Sequence, residues 1–232
     1  MPELDEVAPR LTHGEAHAIM DLEDHHTSGA YPKRPLAIVR GEGIWLWDAQ
    51  GRRFMDMTSG QGVALVGHSH PTVVEAVRRQ AELLITCPEI FYNDRRSELY
   101  AALSQYTPDG LNRFFLCNSG AEAVEGALKF ARLQTGRPGI VAAKSGFHGR
   151  TLGALSATWN PSYRRGFGPL LPEVAHIPFN DLRAAEAAID ASTAAVILEV
   201  VQGEGGVVTA KREFLEAVNQ MCEQRGALLI FD

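Results

Sequence analysis

The sequence predicts an α/β protein: a mostly parallel sheet with helices on both faces, preceded by a small N-terminal segment of antiparallel strands. After about residue 94, helical patterns alternate with short, continuous apolar runs, the order expected when helices cover both faces of a parallel sheet. Before that, residues 36–57 hold three short strand-like runs divided by turn residues. With 232 residues, 45% of them hydrophobic, the chain can bury one sizeable core.

Residues 1 to about 35 are polar and rich in His and acid, and read as a solvated arm or helix. The pair His25-His26 beside Glu23 and Asp24 has no second ligand cluster at metal-binding spacing, so no metal site is expected. Strands follow at Ala37-Ile38-Val39, Ile44 to Trp47 and Phe54-Met55, with Asp48-Ala49-Gln50-Gly51 as a turn. Together with the arm they form a first region of residues 1–60. The remainder, 61–232, opens with Ser59-Gly60-Gln61-Gly62 at its border. Pro71 then starts a helix through Val77. Three predicted strands end in polar residues: Arg113 to Cys117 before Asn118, Ala194 to Leu198 before Glu199, and Ala227 to Phe231 before Asp232. In an open parallel sheet the ligand crevice lies beyond the carboxyl ends of the strands, so these exits can converge.

A net charge of −6 with scattered lysines and arginines leaves no basic face for nucleic acid or anionic lipid. No apolar stretch approaches the roughly 18 residues of a membrane span, and Met1 to Glu6 is acidic where a signal peptide is basic. A cytoplasmic protein is expected. Cys87, Cys117 and Cys222 are odd in number and far apart, which suits reduced, packing thiols.

Four loops carry candidate chemistry. Asn118-Ser119-Gly120-Ala121-Glu122 stands between a strand and a helix with apolar Val124, Ala127, Leu128 and Ala131. Free N–H groups, the helix dipole, a glycine and a hydroxyl there suit a phosphate, although an ordinary N-cap at Ser119 explains the same residues. In Gly146-Phe147-His148-Gly149-Arg150-Thr151, Phe147 can offer a flat ring to a heteroaromatic ligand and Arg150 can grip a carboxylate; singly, they read as a core Phe and a surface Arg. Glu199 opens a glycine-rich turn, Gln202 to Gly206. Asp232, at the exit of an apolar strand, needs a cationic partner. Phosphate cradle, aromatic plate, carboxylate clamp and strand-exit acid are together the parts that hold pyridoxal phosphate, whose pyridine nitrogen Asp232 would keep protonated.

At this point the sequence resembles the class III aminotransferases of the fold type I pyridoxal-phosphate enzymes. The resemblance rests on Gly67 to Pro71, Asn118 to Glu122, Phe147 to Thr151, Phe179-Asn180-Asp181, Gln202 to Gly206 and Gly226 to Asp232, in the family's order. Within the class the likeness is to the group of acetylornithine aminotransferase and the enzyme that aminates a carrier-linked lysine precursor. It implies a large pyridoxal-phosphate domain, with Ser119, Gly120 and Ala121 on the phosphate, Phe147 on the ring and Asp232 at its nitrogen. It further implies Arg150 on the α-carboxylate of glutamate or 2-oxoglutarate, Glu199 helping the site alternate between two substrates, and Tyr31 facing substrate. Val200 stands where the family usually has Pro, and Val124 where it more often has a polar residue.

The resemblance also implies that the lysine anchoring the cofactor, and a small C-terminal domain, lie past Asp232, so the chain as it stands is expected to lack a catalytic lysine. The expected activity of the intact protein is transfer of a terminal amino group from acetylornithine or a similar ω-amine to 2-oxoglutarate, by a homodimer. Another class III specificity (ornithine, 4-aminobutyrate or semialdehyde type) and a non-catalytic paralogue acting as an interaction partner stand as alternatives.

Overall fold

The computed structural model describes residues 13–232, so Met1 to Glu6 lie outside the described residues. Packing divides the chain into two compact units that meet in sequence between Glu98 and Leu99. The sequence pattern had placed this change near residue 60. The segment after residue 60 folds with the strands before it: His68 exchanges backbone hydrogen bonds with Gly43 at 2.9 and 2.8 Å, and its Nε2 lies 2.7 Å from Asp56 Oδ2.

The first unit begins with α1 (His13–His26), followed by an antiparallel sheet of β1 (Ile38–Glu42), β2 (Trp45–Asp48) and β3 (Arg53–Met55) in that order. Asp48 ties the turn. Its Oδ1 accepts from the backbone of Gln50 at 3.0 Å and Arg52 at 2.9 Å, and its Oδ2 meets Arg52 Nε at 2.7 Å. Burial pushes this carboxyl up, but the hydrogen bonds from Arg52 and Gln50 outweigh it and hold its pKa below the ordinary value. Glu23 and Asp24 pair with Lys33 at 2.9 and 3.4 Å. A tight turn, α2 (Ser59–Gly62), leads to α3 (Pro71–Leu83), which starts at the expected proline, and α4 (Asp94–Leu103) crosses into the second unit.

The second unit contains α5 (Gly120–Thr135), β4 (Gly139–Ala143), α6 (Leu152–Ala157), α7 (Pro161–Arg164), β5 (Val174–Ile177), α8 (Leu182–Ala188) and β6 (Thr193–Leu198). A small ribbon of β7 (Val201–Gln202) and β8 (Val208–Thr209) follows, then α9 (Arg212–Arg225) and β9 (Leu228–Phe231). The main sheet has the order β5-β4-β6-β9, and every neighbouring pair is parallel.

Residues alternate across this sheet as strand geometry requires. Val141, Ala143, Val196 and Leu198 join Ile189, Phe214, Val218 and Cys222 on the face covered by α8 and α9. Ile140, Ala142, Ala195 and Ile197 join Val124, Leu128, Ala131, Ala154 and Ala157 on the face covered by α5 and α6. Val124 is therefore apolar because it packs into this second cluster, 3% exposed.

Two expectations fail. Arg113 to Cys117 is not a strand, because a strand needs a hydrogen-bonded neighbour and this segment borders none of the described strands; Phe114 instead stacks on Tyr100 at 5.7 Å. Of the three cysteines, Cys222 is a packing residue, its thiol pushed up to about 11 by burial, whereas Cys117 is exposed. Among the described residues no helix is long and apolar enough to cross a membrane, and no three His, Cys, Asp or Glu residues cluster as a metal site.

Phe214, 1% exposed, meets Phe179 edge to face at 5.9 Å in the α8/α9 cluster. Phe214→Ala is expected to destabilise the fold by about 3–5 kcal/mol, to be measured by urea unfolding of the second unit's tryptophan signal.

Candidate functional site

The site is built at the carboxyl ends of β4, β6 and β9. The register pairs Leu198 with Phe231, and the Asp232 N–H donates to Leu198 O at 3.0 Å, so Glu199 and Asp232 leave the sheet side by side. Ile197 and Ile230 face the α5/α6 cluster. Two residues on, by the period of a strand, Glu199 and Asp232 turn toward the same layer.

On that side lies the loop after β4. His148 is 3% exposed, and its Nδ1 stands 2.7 Å from Asp232 Oδ2. Asp232 accepts this bond, so the imidazole carries its proton on Nδ1. Glu199 Oε2 accepts the Phe147 N–H at 3.1 Å. A Cβ built on Gly146 would stand 3.2 Å from His148 Nε2 and 3.3 Å from Glu199 Oε2, so the far edge of the imidazole and the second carboxylate flank the same glycine. Burial raises the Glu199 pKa above its ordinary value, against the lowering effects of the Phe147 N–H and His148. Asp232 is less enclosed than an apolar strand exit led us to expect, its side chain being 31% exposed.

The helix start faces the same loop. Ser119 caps α5, its Oγ accepting from the Glu122 N–H at 3.2 Å, while the Glu122 carboxylate takes the Asn118 N–H at 2.6 Å. This variant of a capping box leaves the N–H groups of Gly120 and Ala121 at the positive end of the helix dipole. Gly149, at φ +127°, lies against this end: a Cβ there would come within 2.9 Å of Ala121 Cβ. A residue other than glycine would push the loop off the helix. Glu125, one turn into α5, accepts the N–H groups of Gly153 and Ala154 at 2.8 and 3.2 Å and so caps α6.

Phe147 is half-buried with its ring edge against Tyr163 at 5.7 Å, and with Ser145, Trp159, Tyr163 and Glu204 it lines a cleft of about 300 Å³. Arg150 is exposed at the end of the loop. Lys144, just past β4, holds its amine 5.3 Å above the Trp159 ring.

Of the residues singled out from the sequence, Ser119, Gly120, Ala121, Phe147, Arg150, Glu199 and Asp232 all belong to the second unit. Tyr31 belongs to the first, in the segment between α1 and β1, and is 61% exposed. The partner of Asp232 within the chain, His148, was missed. A signal for it existed: a strand-exit acid needs a donor, and His148 was the one titratable side chain in the neighbouring loop without an assigned task. The chemistry of these groups fits pyridoxal phosphate, with the helix-start N–H groups of Gly120 and Ala121 for a phosphate, a half-buried ring for a heteroaromatic face and an oriented carboxylate for a ring nitrogen.

The comparisons agree with that reading. The model of the aminotransferase class-III family matches residues 27–232, and the chain belongs to this family of pyridoxal-phosphate enzymes. It is 51% identical over 202 residues to a putative LysW-aminoadipate semialdehyde/glutamate semialdehyde transaminase of Pyrococcus horikoshii, covering 87% of this chain and 54% of that protein. It is 46% identical over 212 residues to an acetylornithine aminotransferase of Methanopyrus kandleri, covering 91% and 54%. A solved ornithine aminotransferase of Toxoplasma gondii, with partial occupancy of pyridoxal phosphate at its active site, superposes with a TM-score of 0.87 at 30% identity, covering 94% of this chain and 53% of that one. The chain thus spans about half the length of the relatives it matches.

The raised Glu199 pKa sets a pH dependence. Between the unfolded value of 4.5 and the higher folded value, the folded state holds more protons than the unfolded one. The stability Glu199 contributes is therefore complete below 4.5 and lost as pH rises through the folded pKa. Glu199→Gln, which can still accept the Phe147 N–H, is expected to flatten this decline, as read from unfolding midpoints of both proteins across that pH range.

Proposed function

We propose that the second unit is the cofactor-binding half of a pyridoxal-phosphate aminotransferase that moves a terminal amino group from acetylornithine, or from a carrier-linked amine of the LysW type, to 2-oxoglutarate. The observation that carries the cofactor reading is the Asp232–His148 pair: a carboxylate at a strand exit whose one oxygen is held by a buried imidazole. The bound cofactor supplies a conjugated ring that takes up the electron pair left when the substrate C–H bond breaks. Asp232 holds a proton on the ring nitrogen, and His148 holds Asp232 at the right angle. Gly120 and Ala121 give their N–H groups to the phosphate, with the Ser119 hydroxyl beside them. Phe147 covers one face of the ring and keeps water from it.

Arg150, beyond Gly149, binds the α-carboxylate of glutamate or 2-oxoglutarate. Glu199 serves the alternation between two substrates: a carboxyl whose pKa burial raises can pair with a cation at one stage and fall back on backbone N–H donors such as that of Phe147 at another. Tyr31 faces substrate in the intact protein. The named relatives at 46–51% identity support the substrate class. A homodimer and a cytoplasmic location are part of the same reading, as is a cofactor-anchoring lysine outside residues 1–232.

The function is tested with the full-length protein loaded with pyridoxal phosphate, by following glutamate formation from 2-oxoglutarate with acetylornithine, a LysW-linked amine, ornithine and 4-aminobutyrate as donors. Acetylornithine or the carrier-linked amine is expected to be used best. Turnover with ornithine or 4-aminobutyrate alone would overturn the substrate assignment. In the same protein Asp232→Asn is expected to lower turnover by about 10²–10³-fold with cofactor still bound; unchanged turnover would remove Asp232 from the ring nitrogen.

A further inference from the structure

The loop that carries Phe147 and His148 makes no strand or helix, yet its residues 146, 148 and 149 are buried, so its backbone polar groups need partners. Residues just past α6 supply them. Trp159 donates its N–H to Gly146 O at 2.9 Å. Thr158, 0% exposed, accepts the His148 N–H on its hydroxyl at 2.9 Å, and the same hydroxyl lies 3.0 Å from Gly149 O and 3.1 Å from Ala154 O. Its single hydrogen serves one carbonyl at a time. Ala154 O already receives the Thr158 N–H at 3.0 Å, whereas Gly149 O lies the nearer of the two to the hydroxyl. The hydroxyl therefore belongs to Gly149.

One buried side chain thus grips the His148-Gly149 dipeptide at both ends, by the His148 N–H and the Gly149 C=O. On one side of that peptide stand Phe147 and the imidazole that meets Asp232. On the other stands Gly149, in contact with Ala121 at the helix start. We propose that Thr158 is a positioning residue of the cofactor site: through the two ends of the His148-Gly149 dipeptide it aims the His148 imidazole at Asp232 and seats the loop against the start of α5. It touches neither substrate nor cofactor. This inference rests on the cofactor reading above only for its effect on pyridoxal phosphate; the effect on the His148–Asp232 pair is independent of it.

Two variants separate the hydroxyl from the shape of the side chain. Thr158→Val keeps the shape and leaves the His148 N–H and Gly149 C=O without their partner; Thr158→Ser keeps the hydroxyl and drops a methyl. In the full-length apoprotein, the His148 Nδ1–H should give a slowly exchanging, downfield proton resonance in the wild type and the Ser variant. It should broaden or vanish in the Val variant. On adding pyridoxal phosphate, the Val variant should bind about tenfold more weakly and shift the pH profile of cofactor absorbance, and the Ser variant should match the wild type within about twofold.

A Val variant with wild-type resonance and affinity overturns the proposal, as does a Ser variant as impaired as Val. If Thr158→Val does not fold, Thr158→Ala is judged by the same two measurements. If the wild type shows the protected proton but binds no pyridoxal phosphate, the cofactor reading fails and the positioning role stands.

Discussion

The register of β6 against β9 is the constraint on which the rest of the site depends. Pairing Leu198 with Phe231 brings Glu199 and Asp232 out of the sheet together, and the period of two turns both toward α5 and α6. A slip of one residue in either strand would send one acid to the α8/α9 face, away from His148 and the Phe147 N–H. The register is in turn secured by burial on both sides: β6 is buried along its whole length, with alternate residues in two separate clusters. A slip would have to move Val196 and Leu198 out of one cluster and Ala195 and Ile197 out of the other. Chemistry at the strand ends is thus tied to packing in the strand interiors.

Around the two acids the loop and helices fasten each other in a closed sequence. β4 delivers the loop; Gly149 rests on Ala121 of α5; Glu125 of α5 caps α6; and the two residues after α6, Thr158 and Trp159, return to the loop. Each fastening is a directional hydrogen bond or a close backbone approach. Such contacts define position better than apolar packing alone.

Much of this fold was readable from the residues. The strands at 194–198 and 227–231 stood out as apolar runs ending in polar residues, and the period of Val124, Leu128 and Ala131 marked the buried stripe of α5. Arg113 to Cys117 has the composition of a strand but lacks a neighbour, and pairing is a tertiary property that composition does not contain. The division of the chain near residue 98 was hidden for a similar reason: it depends on His68 returning to Gly43 and Asp56. The acids Glu199 and Asp232 were singled out because polar residues at strand exits are conspicuous. His148 and Thr158 were not, because their importance lies in what their polar atoms meet across ten and eighty-four residues of sequence.

The two faces of the sheet differ in the size of what fills them. The α5/α6 side is packed largely with alanine, from Ala131 and Ala142 to Ala154, Ala157, Ala194 and Ala195, while the α8/α9 side holds Phe214, Ile177, Ile189 and Leu198. Alanine cannot be trimmed to a smaller side chain that still packs, and anything larger drives a helix outward. The face that bears the acids has therefore little room to drift over evolutionary time, whereas large residues on the opposite face can trade volume with one another. The protein can diversify on one side of its sheet while the other stays nearly frozen.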